Sequence, residues 1–240
     1  MNLVLFEPFE INHPLPLADP RSQHLLNTLR RAPGDPFEVG IVNGPKGTAA
    51  IARQDPSGLH LDYHWNVSAP TRPTTRLIVA LPRPQTARDI LRDATTLGVA
   101  TIDFVATARA DPNYAASKLW SSGEWRRHVI TGAAQACDTA IPDVTWSHTL
   151  DSALSASPAT ATRLAFDLYE TEGRLNRESL LPPTNALVVV IGPERGWDHV
   201  DREILRRHGC RLLQLGPRVL RTETAVVAAL TLTGALKPSA

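Results

Sequence analysis

From residue 75 onward, continuous apolar runs alternate with amphipathic segments, and this pattern restricts the fold more than any other feature of the chain. A run that is apolar at every position is typical of a strand covered on both faces, as in a parallel sheet. The succession of strands and helices therefore predicts an α/β domain with a parallel sheet over residues 74–240. The predicted strands are Leu77–Leu81, Ile102–Ala106, Leu164–Leu168, Leu187–Ile191 and Leu212–Leu215.

Two of the connections between these strands are predicted to be helices, because their apolar residues recur at a spacing of three and four. Asp198 precedes the second helix and is a suitable N-cap. The apolar positions are Ile90, Leu91, Ala94 and Leu97 in the first helix, and Val200, Ile204 and Leu205 in the second.

The first 70 residues have a different character. Short β-like runs, such as Phe37–Val42 and Thr48–Ile51, are separated by a turn rich in glycine, asparagine and proline at 43–47. This pattern predicts a small β-barrel or sandwich over residues 1–70, with one short helix at 24–31. The prolines of the segment 68–73 disfavour both helix and central strand, so this segment is predicted to be a linker.

The charge of the chain is almost balanced. The 25 Lys and Arg residues against 24 Asp and Glu give a formal net charge of +1, so nucleic-acid binding would need a local basic patch. Residues 200–240 hold 7 basic and 3 acidic side chains and are the candidate for that patch. The alternative is an arginine-rich helix face exposed to solvent.

Several classes of protein are disfavoured by what the sequence lacks. Cys137 and Cys210 are not part of a metal-ligand or disulfide pattern, so no metal site is expected. No apolar segment approaches 18 residues, and the N-terminus does not resemble a signal peptide. We therefore expect a cytoplasmic protein without membrane association.

Two glycine-containing segments, Ile191–Trp197 and Leu215–Ala225, each follow the end of a predicted strand and lead towards a helix. Ligands of open α/β sheets bind at the carboxyl ends of strands, where glycine lets the backbone approach the ligand. Loops on neighbouring strands could form one pocket, although a single Gly-Pro segment can also be an ordinary turn. The glycines lack the Rossmann and P-loop spacings, so a nucleotide-like ligand would need a different binding loop.

The eleven residues LGPRVLRTETA at 215–225, together with IGPERGW at 191–197, resemble the signature of the 16S ribosomal RNA uracil-N3 methyltransferase family. Weaker similarity covers His24–Arg30 and Leu97–Val99. The resemblance implies a PUA-like N-terminal β-barrel that binds RNA and a C-terminal SPOUT-type domain with a trefoil knot. It also implies S-adenosyl-L-methionine as cofactor, ribosomal RNA of the small subunit as substrate, and a homodimer. The apolar final helix, 225–236, could pack at the dimer interface, or it could be an ordinary buried C-terminal helix.

The resemblance further implies which residues form the sites. Arg221 is the candidate for stabilising charge on the uracil carbonyls, and Glu223 or Glu194 could accept the N3 proton, anchor Arg221 or act as structural caps. Arg30, Arg195 and Arg218 are expected to contact RNA. The residues expected to bind the cofactor are Gly192, Pro193, Glu194, Gly196, Leu215, Gly216, Val219, Leu220 and Thr222.

The chain also departs from the family pattern. Arg195 replaces a glycine, Thr96 replaces a glutamate, and Asp138 stands where the family has arginine. These positions are polar or charged, so the departures concern the target RNA more than the cofactor. Two alternatives therefore remain open, namely a divergent paralogue that methylates another RNA and a non-catalytic module that binds RNA or the ribosome.

Overall fold

A computed structural model describes residues 3–181 and 186–236 of the chain. The chain forms two compact units, the first comprising Met1–Arg72 and Ala133–Ile141 and the second comprising Pro73–Gly132 and Pro142–Ala240. The expected domains, 1–70 and 74–240, were consecutive in the sequence, whereas the first unit also includes a later segment of chain. The sequence gives no local signal for this excursion, because nothing in its apolar pattern marks 133–141 as part of another core.

The first unit contains a four-stranded mixed sheet in the order β1-β2-β3-β4. β1 and β2 are parallel, and the other neighbours are antiparallel. The connection between β2 and β3 spans residues 42–45, so the last two residues of the predicted turn at 43–47 belong to β3. A helix, α1, spans Pro20–Gln23, and a π-helical turn follows at His24–Thr28. This helix begins before the predicted 24–31 because the Asp19 carboxylate caps it. The strands are β1 Val4–Phe6, β2 Phe37–Ile41, β3 Lys46–Asp55 and β4 Gly58–Val67.

The segment 133–141 is hydrogen-bonded to the amino-terminal part of the first unit. The backbone N–H of Leu3 donates to the carbonyl of Ala134 at 3.0 Å, and that of Asn43 donates to the carbonyl of Thr139 at 2.8 Å. The Thr139 hydroxyl in turn donates to the carbonyl of Gly44 at 2.7 Å. The late segment therefore satisfies polar backbone groups of this unit.

The second unit contains a seven-stranded sheet in the order β7-β6-β5-β10-β8-β11-β9, with every pair of neighbours parallel. The predicted α/β fold with a parallel sheet is confirmed. Two strands, β7 and β9, were not predicted, since β7 is polar and partly exposed at the sheet edge and β9 has two residues. The strands are β5 Thr75–Ala80, β6 Thr101–Ala106, β7 Asp143–Thr149, β8 Thr162–Phe166, β9 Gly173–Arg174, β10 Leu187–Ile191 and β11 Arg211–Gln214.

The two predicted helices of this unit are present, with Asp198 capping the second by accepting from the backbone N–H of Val200. Leu97 was wrongly assigned to a buried face, because it lies just beyond the helix end and is 40% exposed. Val200 is also largely exposed. The helices that follow α1 are α2 Pro84–Thr96, α3 Lys118–Ser121, α4 Glu124–Gln135, α5 Leu150–Ser155, α6 His199–Arg207 and α7 Thr222–Leu236.

The centre of the large sheet is fully buried. Every residue of β10 is buried, and its last residue, Ile191, is in register with Val79 of β5 and Phe166 of β8. The carboxyl ends of three adjacent strands are therefore level, and the loops that follow them start from one edge. In the part of the chain that is described, no helix is both long and apolar enough to cross a membrane.

Candidate functional site

The loops that follow β8, β10 and β11 line one cavity of about 330 Å³. The two loops singled out in the sequence, at 191–197 and 215–225, both contribute to it. The sequence suggests that the two strands before these loops are neighbours. In the structure they are not, because β8 lies between β10 and β11. The cavity therefore has a third wall, formed by Phe166–Tyr169, which sequence reasoning missed.

Each residue expected to bind the cofactor lines this cavity, and Trp197, Arg195 and Arg218 line it as well. A β-carbon added at Gly216 would meet no atom within 4 Å, so the backbone borders open space at this position. A β-carbon at Gly192, by contrast, would lie 2.9 Å from the Trp197 ring. Gly216 thus leaves room for a ligand, whereas Gly192 leaves room for a tryptophan of the protein itself.

Trp197 fixes the loop after β10 against the strand beside it. The residue is 1% exposed, and its indole Nε1–H donates to the backbone carbonyl of Phe166 at 2.9 Å. A buried indole that keeps its hydrogen bond holds its neighbours in one arrangement. In the sequence, Trp197 is the last residue of the IGPERGW segment, and its buried position was not predicted.

Asp167 organises the third wall. Its carboxylate accepts hydrogen bonds from the backbone N–H groups of Leu168 and Tyr169 and from the Nε of Arg202 at 2.6 Å. Burial opposes ionisation, but the bonds from Arg202 and the two amides outweigh it, and the pKa of Asp167 is lowered. The aspartate directly after the apolar run of β8 was the signal that could have identified this wall.

We expect Asp167→Asn to lower the free energy of unfolding by about 3 kcal/mol, because it leaves the buried Arg202 guanidinium poorly compensated. Glu170 stays 3.3 Å from Arg202, but it is half exposed. The pKa of Asp167 is lowered on folding, so this contribution is present at neutral pH and is lost as the pH falls below about 4. Denaturant unfolding at pH 7 and pH 3 measures both effects.

Asp151→Asn is the matched control, since Asp151 pairs with Arg207 and His208 and is half exposed. Removing that exposed pair should change the free energy of unfolding far less, because solvent screens both charges. Equal losses for the two variants at pH 7 would contradict the structural role given to Asp167.

Of the three candidate catalytic residues, Glu194 lines the cavity, whereas Arg221 and Glu223 do not. Arg221 is exposed immediately before α7, and its carbonyl accepts from the backbone N–H of Ala225. Glu223 lies in the first turn of α7, and Glu194 is 3.6 Å from the Nε of Arg83. Within the described residues, Arg221 forms no ion pair with Glu194 or Glu223, so neither carboxylate anchors it.

Within the described residues 200–236, most arginines of the C-terminal segment are paired inside the protein. Four of its arginines, at 202, 206, 207 and 211, pair with aspartate or glutamate side chains. The alternative of a solvated helix face therefore describes this segment better than a patch for nucleic acid. Arg218 is exposed at the cavity, and Arg30 is exposed in the first unit with a positive φ of 50°.

Three other arginines meet in a second cavity of about 390 Å³, which we call the arginine groove and define by Arg83, Arg109 and Arg195. Arg109 donates to the backbone carbonyl of Arg195 at 3.0 Å, and no carboxylate pairs with Arg195 among the described residues. Glu194 and Asp111 also line the groove. Residues 193–195 line both the groove and the first cavity, so the two are adjacent.

A metal centre is not evident in this region. Among the residues that the structure describes, no three histidine, cysteine, aspartate or glutamate side chains are grouped so that they could hold a metal ion.

Comparison with known proteins places this geometry in a family. Residues 70–234 match the model of the RNA methyltransferase domain. The chain is 33% identical to ribosomal RNA small subunit methyltransferase E of Treponema pallidum, over 95% of this chain and 89% of that protein. It is 25% identical to ribosomal RNA small subunit methyltransferase E 1 of Borreliella burgdorferi, over 97% of each.

A solved structure shows the same fold. The methyltransferase E of Neisseria gonorrhoeae, crystallised with S-adenosyl methionine, superposes with a TM-score of 0.79 at 23% identity and covers 98% of each chain. Sequence, fold and the two glycine loops agree, and the chain therefore belongs to the RNA methyltransferase family that includes ribosomal RNA small subunit methyltransferase E.

Proposed function

We propose that the protein transfers a methyl group from S-adenosyl-L-methionine to N3 of a uridine in the ribosomal RNA of the small subunit. The observation that carries the proposal is the convergence of both glycine loops on one cavity, in a chain that shares 33% of its residues with a methyltransferase of small-subunit ribosomal RNA. A cavity of about 330 Å³ is within the range of small-molecule sites.

The residues of the cavity fit this cofactor. Gly216 offers space directly beside the backbone, and the loops around it are rich in main-chain groups that can bind polar atoms of a nucleoside. Val219 and Leu220 supply apolar surface. S-adenosyl-L-methionine, when bound, supplies an electrophilic methyl group on a sulfonium.

The protein side chains then act on the uracil. N3 carries a weakly acidic proton that must leave before or during methyl transfer, and the negative charge spreads to the flanking carbonyl oxygens. Arg221 is exposed between Leu220 and Thr222, which line the cavity, and it is our candidate for stabilising that charge. Glu223 or Glu194 is the candidate acceptor of the proton.

The finer architecture belongs to the same proposal. We infer that the second unit is a SPOUT-type domain with a trefoil knot, and that the first unit is a PUA-like barrel that binds RNA. We further infer a homodimer that uses α7. Residues 224–236 of this helix carry no charge, and Val227 and Leu232 are 37% and 41% exposed, so the helix presents apolar surface that a second copy could cover.

The proposal is tested by nucleoside mass spectrometry of small-subunit ribosomal RNA from cells that lack the gene. We expect loss of one N3-methyluridine, and its restoration when the purified protein, S-adenosyl-L-methionine and the unmodified subunits are combined. Binding of the cofactor by calorimetry and molar mass by light scattering complete the test. Unchanged modification in the deleted strain would overturn the proposed substrate.

The same measurements separate the alternatives. A divergent paralogue would bind the cofactor and leave ribosomal uridines untouched, while another RNA would lose its modification in the deleted strain. A non-catalytic module would show no turnover with any RNA. Arg195 and Asp138, which depart from the family pattern, motivate both alternatives.

Arg195→Gly restores the residue of the family and is expected to weaken RNA binding. When one phosphate contact is lost, RNA binding releases fewer counterions. The magnitude of the slope of log K against log salt should therefore fall by about 1. Arg207→Ala is the matched control, because it also removes an exposed arginine. Arg207 ends α6, which leads to the amino end of β11, whereas the cavity loops follow the carboxyl ends of the strands. If both variants keep the wild-type slope, Arg195 does not contact phosphate.

A further inference from the structure

A third cavity, of about 410 Å³, lies at the carboxyl ends of β6 and β7. We call it the aromatic cavity and define it by Thr107, Trp146 and His148. Leu81, Ala108 and Asp111 line both this cavity and the arginine groove. The first cavity, which we call the cofactor cavity, is followed by the arginine groove and then by the aromatic cavity along a single edge of the sheet.

Trp146 is held in place by other aromatic rings. It stacks on Trp120, with ring centroids 5.2 Å apart and an angle of 14° between the rings, and contacts Trp125 at 5.9 Å. Trp120 in turn packs against the buried Phe104. Trp146 nevertheless stays partly exposed and lines the cavity, so it offers a fixed aromatic surface to a ligand.

Thr107 contributes a hydroxyl group that forms no hydrogen bond within the described part of the protein. Its hydroxyl oxygen is buried and has no hydrogen-bond partner among the described residues. Leaving such a group unpaired is unfavourable, and buried polar groups in proteins are almost always paired. Thr107 lines the aromatic cavity, so rotation about its Cα–Cβ bond could present the hydroxyl to a ligand there that supplies the missing partner.

We propose that the aromatic cavity receives a nucleobase of the substrate RNA that neighbours the methylated uridine, while the arginine groove binds the phosphates between them. The inference rests on the proposed function. Proteins bind unpaired nucleotides by stacking bases on aromatic side chains and by neutralising the backbone with arginine. A base also has a hydrogen-bonding edge that can pair with the Thr107 hydroxyl.

Thr107→Val tests the hydrogen bond without loss of a protein contact. The variant should melt at the wild-type temperature or slightly above it, because the unpaired hydroxyl is removed. Its affinity for small-subunit RNA should nevertheless fall about 5- to 10-fold, as expected for one lost hydrogen bond. Thr131→Val, an exposed helix position outside all three cavities, is the control and should leave affinity unchanged.

Trp146 tests the stacking. Trp146→Ala should weaken RNA binding about 5- to 150-fold, while Trp146→Phe, which keeps an aromatic ring, should recover most of the affinity. RNA that carries thiouridine at successive positions near the target should cross-link from one flanking position to the peptide that contains Trp146. The cross-link is read in the wild-type protein and so does not depend on the folding of a variant.

The outcomes distinguish this inference from the proposed function. Cofactor binding should be unchanged in the Thr107 and Trp146 variants, since neither residue lines the cofactor cavity. If the wild-type protein methylates ribosomal RNA but Thr107→Val keeps full affinity and no cross-link maps to Trp146, the base site is refuted alone. If the wild-type protein methylates no ribosomal RNA, the proposed function fails first.

Discussion

Replacement of Gly216 by leucine is expected to abolish binding of S-adenosyl-L-methionine without unfolding the protein. The added β-carbon meets no atom within 4 Å, so the fold can accept a side chain here. The remaining leucine atoms would then compete with the ligand for a cavity of about 330 Å³. We expect a loss of at least about 100-fold in affinity, equivalent to about 2.7 kcal/mol.

Calorimetry measures this loss, and thermal unfolding shows whether the fold is kept. Gly216→Ala adds one methyl group and should give an intermediate affinity. Gly192→Ala is the contrasting variant, because its β-carbon would press on the Trp197 ring and should lower the melting temperature. Wild-type affinity in Gly216→Leu would show that the cofactor binds elsewhere.

Replacement of Arg221 by alanine should lower the rate of methyl transfer by about 10²–10³-fold, or about 2.7–4 kcal/mol, with cofactor affinity almost unchanged. The guanidinium is exposed and forms no ion pair with the nearby carboxylates in the described structure, so its removal breaks no internal bridge. Its proposed contact, with the uracil oxygens, strengthens as N3 loses its proton. The effect should therefore fall on turnover rather than on binding.

Single-turnover kinetics with saturating RNA and cofactor isolates this step. Arg221→Lys should recover little, because a point charge does not replace a planar group with several donors. Arg218→Ala, a neighbouring exposed arginine, should alter RNA affinity more than the rate. A rate for Arg221→Ala within about threefold of wild type would leave Arg221 as a structural residue before α7.

The parallel sheet was predictable because burial on both faces leaves a direct trace in the sequence. β10 is apolar at every position and is buried at every position. β7 was missed for the opposite reason, since an edge strand covered on one side keeps polar residues such as Thr145 and Ser147. Burial that is partial, or achieved by distant segments, has no local pattern.

The candidate cavity was only partly predictable. Motifs at the ends of β10 and β11 identified two of its walls, because glycine at a strand end has a physical meaning without knowledge of the fold. The strand order places β8 between β10 and β11, and it depends on pairing between distant segments of the chain. Asp167, which follows β8, was missed for this reason. The arginine groove brings together Arg83, Arg109 and Arg195, which span 112 positions of the chain, so no short sequence window contains all three.

The return of residues 133–141 to the first unit bears on how the chain is made. When the first 72 residues have left the ribosome, the carbonyl groups that accept hydrogen bonds from the amides of Leu3 and Asn43 have not yet been synthesised. These carbonyls lie about 130 and 95 residues further along the chain. The amino-terminal unit can therefore be completed only after much of the other unit has been synthesised. A gene cut in the linker at 68–73 would encode an unfinished unit, and evolutionary exchange of this unit between proteins would have to carry the later segment with it.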